Sequence, residues 1–169
     1  FSSQIISQTL GYSWKTSTHS QHYFNLIDIS FSYIEENDFI SNLIEENIYL
    51  REQFEDKFIP AINYIFTFNS QKTYTNSNHT YFKTKIETSG NLFQVIGSTG
   101  NLNKNENNDY ITFKNPFSQY CRLDFDVRRY IAISQHNTLV LRSFVGVGYA
   151  YGNSEKLPIQ KQFFSGGVN

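Results

Sequence analysis

The chain has 169 residues and a net charge of -1, with 14 lysines and arginines against 15 aspartates and glutamates. This balance gives no electrostatic reason to expect a nucleic-acid partner, and no apolar run approaches the roughly 20 residues of a membrane-spanning helix. A single cysteine, Cys121, excludes an internal disulfide framework. Aromatic residues make up 17% of the chain although the mean hydropathy is -0.45, which predicts strands with one apolar and one polar face.

Six segments alternate apolar and polar side chains with the period of two that is typical of β-strands. In chain order they are residues 7–17, 23–35, 59–71, 80–91, 120–134 and 138–152. Only residues 135–137 separate the last two, which predicts a hairpin. The sequence therefore predicts an all-β fold, built as an antiparallel meander of about six strands in a single domain over residues 1–169.

The alternation is clearest in the fifth segment, where full charges share one face and apolar groups share the other. The charged residues are Arg122, Asp124, Asp126 and Arg128, and the apolar residues are Cys121, Leu123, Phe125 and Val127. Opposite charges spaced two residues apart suit a wet but confined space, because neighbouring charges neutralise one another. This pattern favours a surface that borders enclosed water.

The sixth segment repeats the scheme and adds small residues. One face carries Leu139, Leu141, Val145, Val147 and Tyr149, and the other carries Arg142, Phe144, Gly146, Gly148 and Ala150. Glycines in a strand often mark a place where another part of the chain approaches closely. The second face is therefore expected to pack against a further segment.

The connections between the predicted strands alternate in length. Those at about 17–22, 71–79 and 134–137 are short, whereas those at 36–57, at 96–118 and from 152 onward are long. In an antiparallel meander this places every long connection at the same end. Transmembrane barrels of the outer membrane have this arrangement, with short periplasmic turns and long external loops. A soluble, aromatic-rich β-sandwich is the alternative that the strand pattern leaves open.

The sequences of two of the long connections predict their structure. In residues 37–56, Phe39, Leu43, Leu50 and Phe54 recur at near-helical spacing, which predicts a short amphipathic helix in one external loop. Residues 98–109 are so polar that they predict a solvated, mobile loop.

The end of the chain carries a motif with Leu-Pro, then two aromatic residues, a small residue and two glycines. Its members are Leu157, Pro158, Phe163, Phe164, Ser165, Gly166, Gly167, Val168 and Asn169. Together with the preceding hairpin, this motif resembles the BamA/TamA-type outer-membrane assembly proteins of the bacterial surface antigen family. A weaker similarity extends through residues 45–69. The resemblance implies that the chain is a segment of a longer protein and supplies strands six to eleven of a sixteen-stranded transmembrane barrel.

The resemblance also implies a role for each face. Phe163, Phe164, Gly166 and Gly167 would form the root of the longest external loop, which returns into the lumen. The lumen-facing residues would be Arg122, Asp124, Asp126, Arg128, Arg142, Gly146 and Gly148. The lipid-facing residues would be Leu123, Phe125, Val127, Leu139, Leu141, Val145, Val147 and Tyr149. The arginines and aspartates either line a hydrated lumen or dock the returning loop, and the glycines either make room for that loop or are ordinary strand and turn glycines.

By resemblance, the expected function is to fold and insert other outer-membrane proteins, or to translocate partners, in the bacterial outer membrane. The implied partners are outer-membrane lipid, client outer-membrane proteins and periplasmic proteins or lipoproteins. We expect no enzymatic activity, cofactor or metal. His19 and His22 have a metal-like spacing, but no cysteine or acidic cluster lies near them. The rival functions are a two-partner-secretion transport pore of the same superfamily and a soluble β-sandwich that binds a ligand.

Overall fold

Six long strands form one antiparallel sheet in a computed structural model, which describes residues 3–34, 57–71, 78–100, 102–105, 108–113 and 115–163. The strands are β1 (Ser3–Lys15), β2 (Ser20–Ile34), β3 (Lys57–Asn69), β4 (His79–Ser89), β7 (Tyr120–Ala132) and β8 (Thr138–Ala150). They lie side by side in chain order, and each pairs antiparallel with the next. The predicted all-β meander of six strands is confirmed.

Shorter elements occupy the connections. They are α1 (Asn91–Ser98), β5 (Ile111–Thr112), β6 (Asn115–Pro116) and a 3₁₀ turn, η1 (Ile159–Lys161). The sequence did not predict α1 or the β5–β6 hairpin. Within the loop that was predicted to be solvated and mobile, residues 98–109, Lys104 forms a bridge with Tyr110. The helix predicted within residues 37–56 lies outside the described residues.

The two ends of the sheet differ in the length of their connections. Residues 16–19, 70–78 and 133–137 link strands at one end, which we call the short end. The ends of β2, β4 and β8 and the starts of β3 and β7 lie at the other, which we call the long end, where the connections in the sequence are longer. In the part of the chain that the structure describes, β1 and β8 each pair with a single neighbour, so both edges of the sheet are open.

A bulge interrupts β2 on its way to the long end. The pairing of β2 with β3 shifts between Asn25 and Asp28, and the pairing of β1 with β2 shifts between Leu10 and Gly11. The extra residue, Leu26, breaks the strict alternation of faces, as is usual for a β-bulge. On both sides of the bulge the polar side chains, among them Asn25 and Asp28, remain on the same face.

The apolar core is small and lies at the long end. Phe58 and Phe117 are each 1% exposed. Their rings pack around Phe93 of α1, with centroids 5.4 Å from Phe58 and 5.8 Å from Phe117.

Replacing Gly90 by alanine should destabilise the fold by more than replacing Gly100. Both residues have positive φ angles, 77° and 83°, so each alanine meets backbone strain of about 1–3 kcal/mol. A Cβ at Gly90 would also lie 2.7 Å from the Ser118 carbonyl oxygen, whereas a Cβ at Gly100 meets nothing within 4 Å. Unfolding by urea measures the difference, and equal losses in the two variants would contradict the packing described for Gly90.

Candidate functional site: the polar face and the segment folded onto it

One face of the sheet, the polar face, carries oppositely charged side chains in matching rows across β4 and β7. Lys83 of β4 lies opposite Asp126, Lys85 lies opposite Asp124, and Glu87 lies opposite Arg122. Each row therefore places a positive and a negative group on neighbouring strands, where opposite charges stabilise the pairing. The side chains of Glu87, Asp124 and Asp126 are buried although the face is charged.

Asp126 is the centre of the first of two ion-pair clusters. Its carboxylate accepts hydrogen bonds from Nε and Nη2 of Arg128, at 3.0 and 2.7 Å, and from Nε and Nη2 of Arg142, at 3.2 and 2.8 Å. Both arginines therefore bind in the bidentate manner that makes such pairs strong and directional. Because Arg142 comes from β8 and Arg128 from β7, the cluster ties the last hairpin together on its polar face.

Replacing Asp126 by asparagine should lower stability by about 1–2 kcal/mol, because two arginines lose their shared counter-ion while their partial exposure to water limits the cost. The matched control is Asp124→Asn. Among the described residues Asp124 has one ion pair, with Arg122 at 3.6 Å, and it should lose less. Urea unfolding of both variants measures this, and a larger loss for Asp124→Asn would contradict the ranking.

Glu87 is the centre of the second cluster, and its side chain is fully buried. Its Oε1 accepts a hydrogen bond from the hydroxyl of Tyr120 at 2.6 Å and lies 2.8 Å from Nζ of Lys161. Lys85, two residues earlier on β4, forms a further ion pair with the same carboxylate. A buried carboxylate needs this compensation, because an unpaired buried charge is very costly.

Lys161 reaches Glu87 because the chain after β8 turns back over the polar face. Residues 157–163, which we call the return segment, contain η1 and contact both glycines of β8. A Cβ at Gly148 would lie 2.5 Å from Cδ1 of Leu157, and a Cβ at Gly146 would collide with the ring of Phe163. Only a residue without a side chain leaves room at these two positions.

Phe163 makes two further contacts at the end of the return segment. The guanidinium carbon of Arg122 lies 4.1 Å from the centroid of the Phe163 ring, which is a cation–π geometry. The ring of Phe144 meets it edge-on, with centroids 5.9 Å apart. The return segment is therefore held by an ion pair at Lys161 and by ring packing at Phe163.

The predicted site residues divide between the two faces as follows. Arg122, Asp124, Asp126, Arg128, Arg142, Gly146 and Gly148 lie on the polar face, and Phe163 packs on it. Leu123, Phe125, Val127, Leu139, Leu141, Val145, Val147 and Tyr149 lie on the opposite face. Phe164, Gly166 and Gly167 lie outside the described residues. Sequence reasoning missed Glu87, Lys161 and Tyr120 as members of a cluster, although the alternation of Lys83, Lys85 and Glu87 was visible.

The opposite face, which we call the apolar face, is exposed. Among the residues of β7 and β8 that were predicted to face lipid, those that are exposed have exposed fractions from 39% for Phe125 to 70% for Tyr149. Aromatic rings cluster on this face toward the short end, where Trp14 stacks on His22 with centroids 5.0 Å apart. Tyr64 donates to or accepts from Nδ1 of His22 at 2.7 Å. The sheet thus buries charge and exposes hydrocarbon.

The histidines noted in the sequence do not meet other metal ligands. Nε2 of His22 contacts the Thr16 hydroxyl at 3.0 Å, and Nδ1 of His19 contacts the Thr18 hydroxyl at 3.0 Å. Within the described ranges, no group of three or more histidine, cysteine, aspartate or glutamate side chains could hold a metal ion. Among the helices described, none has the length and apolar character to cross a membrane.

Comparison of the chain with protein-family models, with curated proteins and with solved structures finds no match. What the chain does is therefore inferred from its own two faces and from the return segment.

Proposed function

We propose that this chain forms part of a transmembrane β-barrel in a bacterial outer membrane. One observation carries the proposal: the sheet buries Glu87, Asp124 and Asp126 while Val145, Val147 and Tyr149 are exposed. The three carboxylates are paired with lysine or arginine, as buried charges require, so the exposed apolar side chains are what water does not explain, because exposed apolar area costs about 25 cal/mol per Å² in water. Hydrocarbon against the apolar face removes that cost, and a lumen on the other side accommodates the charges.

The dimensions of the sheet support the same proposal. Its six long strands have 11 to 15 residues, and a tilted strand of about 9–11 residues crosses a bilayer. Open edges leave backbone groups without partners, which hydrocarbon does not tolerate, so the sheet must be closed by further strands. In this proposal, the rings around Trp14 and His22 at the short end belong to an interfacial aromatic girdle.

Within outer-membrane barrels, we propose a BamA/TamA-type assembly factor, which helps other outer-membrane proteins to fold and insert. The return segment supports this choice, because Leu157 and Phe163 belong to the motif that resembles that family and both pack on strand glycines of the polar face. In this proposal the six strands are the rigid wall opposite the barrel seam. An unpaired strand edge at the seam would receive a client strand by β-augmentation. The partners are outer-membrane lipid, client proteins, and periplasmic proteins or lipoproteins.

The experiment is a folding assay with the full-length protein in lipid vesicles. A small outer-membrane barrel protein is added in its urea-unfolded form, and its folded fraction is followed by the mobility of unboiled samples on a gel. Vesicles with the protein should fold the client at least several-fold faster than empty vesicles. Ion conductance without faster folding would favour the transport pore, and a monomer folded in plain buffer would favour the soluble sandwich.

A further inference from the structure

The apolar face carries a groove of about 230 Å³ near the long end of the sheet. One wall is the β2 bulge and the other is the first turn of α1. Its apolar lining includes Leu26, Ile27, Pro60, Ile62, Leu92 and Phe93. The groove is therefore a local depression in the apolar face.

Three local features open this groove. The bulge between Asn25 and Asp28 inserts Leu26 and bends β2. At Gly90 the chain leaves β4 with a φ of 77°, and the Gly90 N–H donates to the Pro60 carbonyl at 3.0 Å. This turn directs α1 over the sheet, where Phe93 anchors it to Phe58. The helix consequently lies beside the bulge, with a gap between them.

The polar residues in the groove lining have side chains that are bonded to protein groups, and the Asp28 side chain lies on the polar face, away from the groove. Asp28 accepts hydrogen bonds from Thr9 at 3.1 Å and from Asn63 at 2.8 Å. Asn91 donates to Thr88 at 2.8 Å and accepts from Tyr151 at 2.8 Å. A polar or charged ligand would find no partner among these groups, and burying it there would cost free energy.

An extended peptide is also a poor occupant, because the groove lies over paired strands of the sheet interior rather than at an edge. Strand addition requires free backbone donors and acceptors, and β3 is paired on both sides here. The first two turns of α1 carry no charged residue (N-L-F-Q-V-I-G-S). An uncharged, unbranched hydrocarbon chain meets these conditions.

The exposed surface on either side of the groove is apolar as well. Leu26 is 54% exposed on the bulge, Leu92 is 60% exposed on α1, and Val95 and Ile96 continue the surface along the helix. We propose that the groove binds one acyl chain of a lipid in the outer leaflet of the membrane. This inference rests on the proposed function, because it requires that this face contacts lipid and that the long end carries the external loops expected from the sequence.

The test uses tryptophan reporters in the full-length protein, purified in detergent and titrated with phosphatidylcholine brominated on its acyl chains. Trp14, the single tryptophan of the described chain, is replaced by phenylalanine. One protein then carries Leu92→Trp at the groove, and the other carries Val145→Trp on the open apolar face. Quenching at position 92 should saturate at about one lipid per chain, whereas quenching at 145 should rise with lipid content without saturating at that ratio.

A substitution in the groove gives the second measurement. Leu26→Asn, at a half-exposed position, should weaken the saturable quenching at position 92 by tenfold or more. Leu10→Asn, which lies on the same face with an exposed fraction of 62% against 54% for Leu26 but does not line the groove, should leave it unchanged. If 145 is quenched and 92 is not, or if 92 shows no saturation, the groove inference is overturned while the membrane proposal stands. If neither reporter is quenched, both fail.

Discussion

Replacing Glu87 by glutamine should lower the stability of the protein by about 3–5 kcal/mol, the cost of breaking a buried ion pair by removing one partner. Glutamine keeps an acceptor for the Tyr120 hydroxyl but removes the carboxylate charge that pairs with Lys161 and Lys85, whose side chains are only 15% and 23% exposed. In lipid vesicles, the temperature at which the folded band of an unboiled sample converts to the unfolded band measures the loss.

The same substitution should release the return segment. Lys161 is the charged anchor of residues 157–163, so proteolysis after β8 should become several-fold faster in Glu87→Gln than in the unmodified protein. The control is the double variant Glu87→Gln with Lys161→Met, which removes both charges. Its loss should be smaller than the sum of the single losses, because the buried cation is gone. Additive losses would show that Glu87 and Lys161 do not act as a pair.

Replacing Val145 by arginine should cost about 2–4 kcal/mol, because this residue lies near the middle of β8 on the face assigned to hydrocarbon. The matched control is Tyr149→Arg on the same face near the end of the strand, where the cost should be at most about 1 kcal/mol. In a water-soluble sheet the two exposed positions would both tolerate arginine within about 0.5 kcal/mol. Urea unfolding from lipid vesicles measures both variants, and equal small effects would contradict the assignment.

The sequence predicts the strands of this fold well because the faces differ so sharply. Arg122, Asp124, Asp126 and Arg128 alternate with apolar residues without interruption, and β7 follows that pattern. Alternation fails at Leu26, where the bulge inserts a residue, but it resumes with Asp28 on the polar face. Local periodicity therefore indicates which residues share a face, as long as the one-residue shift at the bulge is taken into account.

The helix α1 could not be predicted in this way. It has eight residues, begins after a glycine with no side-chain cap, and carries Gly97 near its end. Such a segment has little intrinsic helical stability, and what holds it is the packing of Phe93 against Phe58 and Phe117. Those two rings come from β3 and from the connection before β7, so the stabilising contacts are invisible in the local sequence.

In the candidate site, the Glu87 cluster could not be predicted from the local sequence either. The alternation of Lys83, Lys85 and Glu87 indicates one polar face of β4, but it gives no reason to single out Glu87. Its partner Lys161 lies in a segment without periodicity and reaches it only because the chain folds back after β8. The glycines of β8 were the usable signal, since they predicted a close approach by some segment without identifying the lysine within it.

Spin labels on the apolar face test the central claim most directly. Val127→Cys and Val145→Cys are made in a Cys121→Ser background of the full-length protein in lipid vesicles, with Thr67→Cys on the polar face as the control. Labels at 127 and 145 should collide readily with oxygen and rarely with a water-soluble nickel complex, and the label at 67 should show more nickel collisions. Frequent nickel collisions at 127 and 145, or protection there from both reagents, would mean that water or protein covers this face instead of lipid.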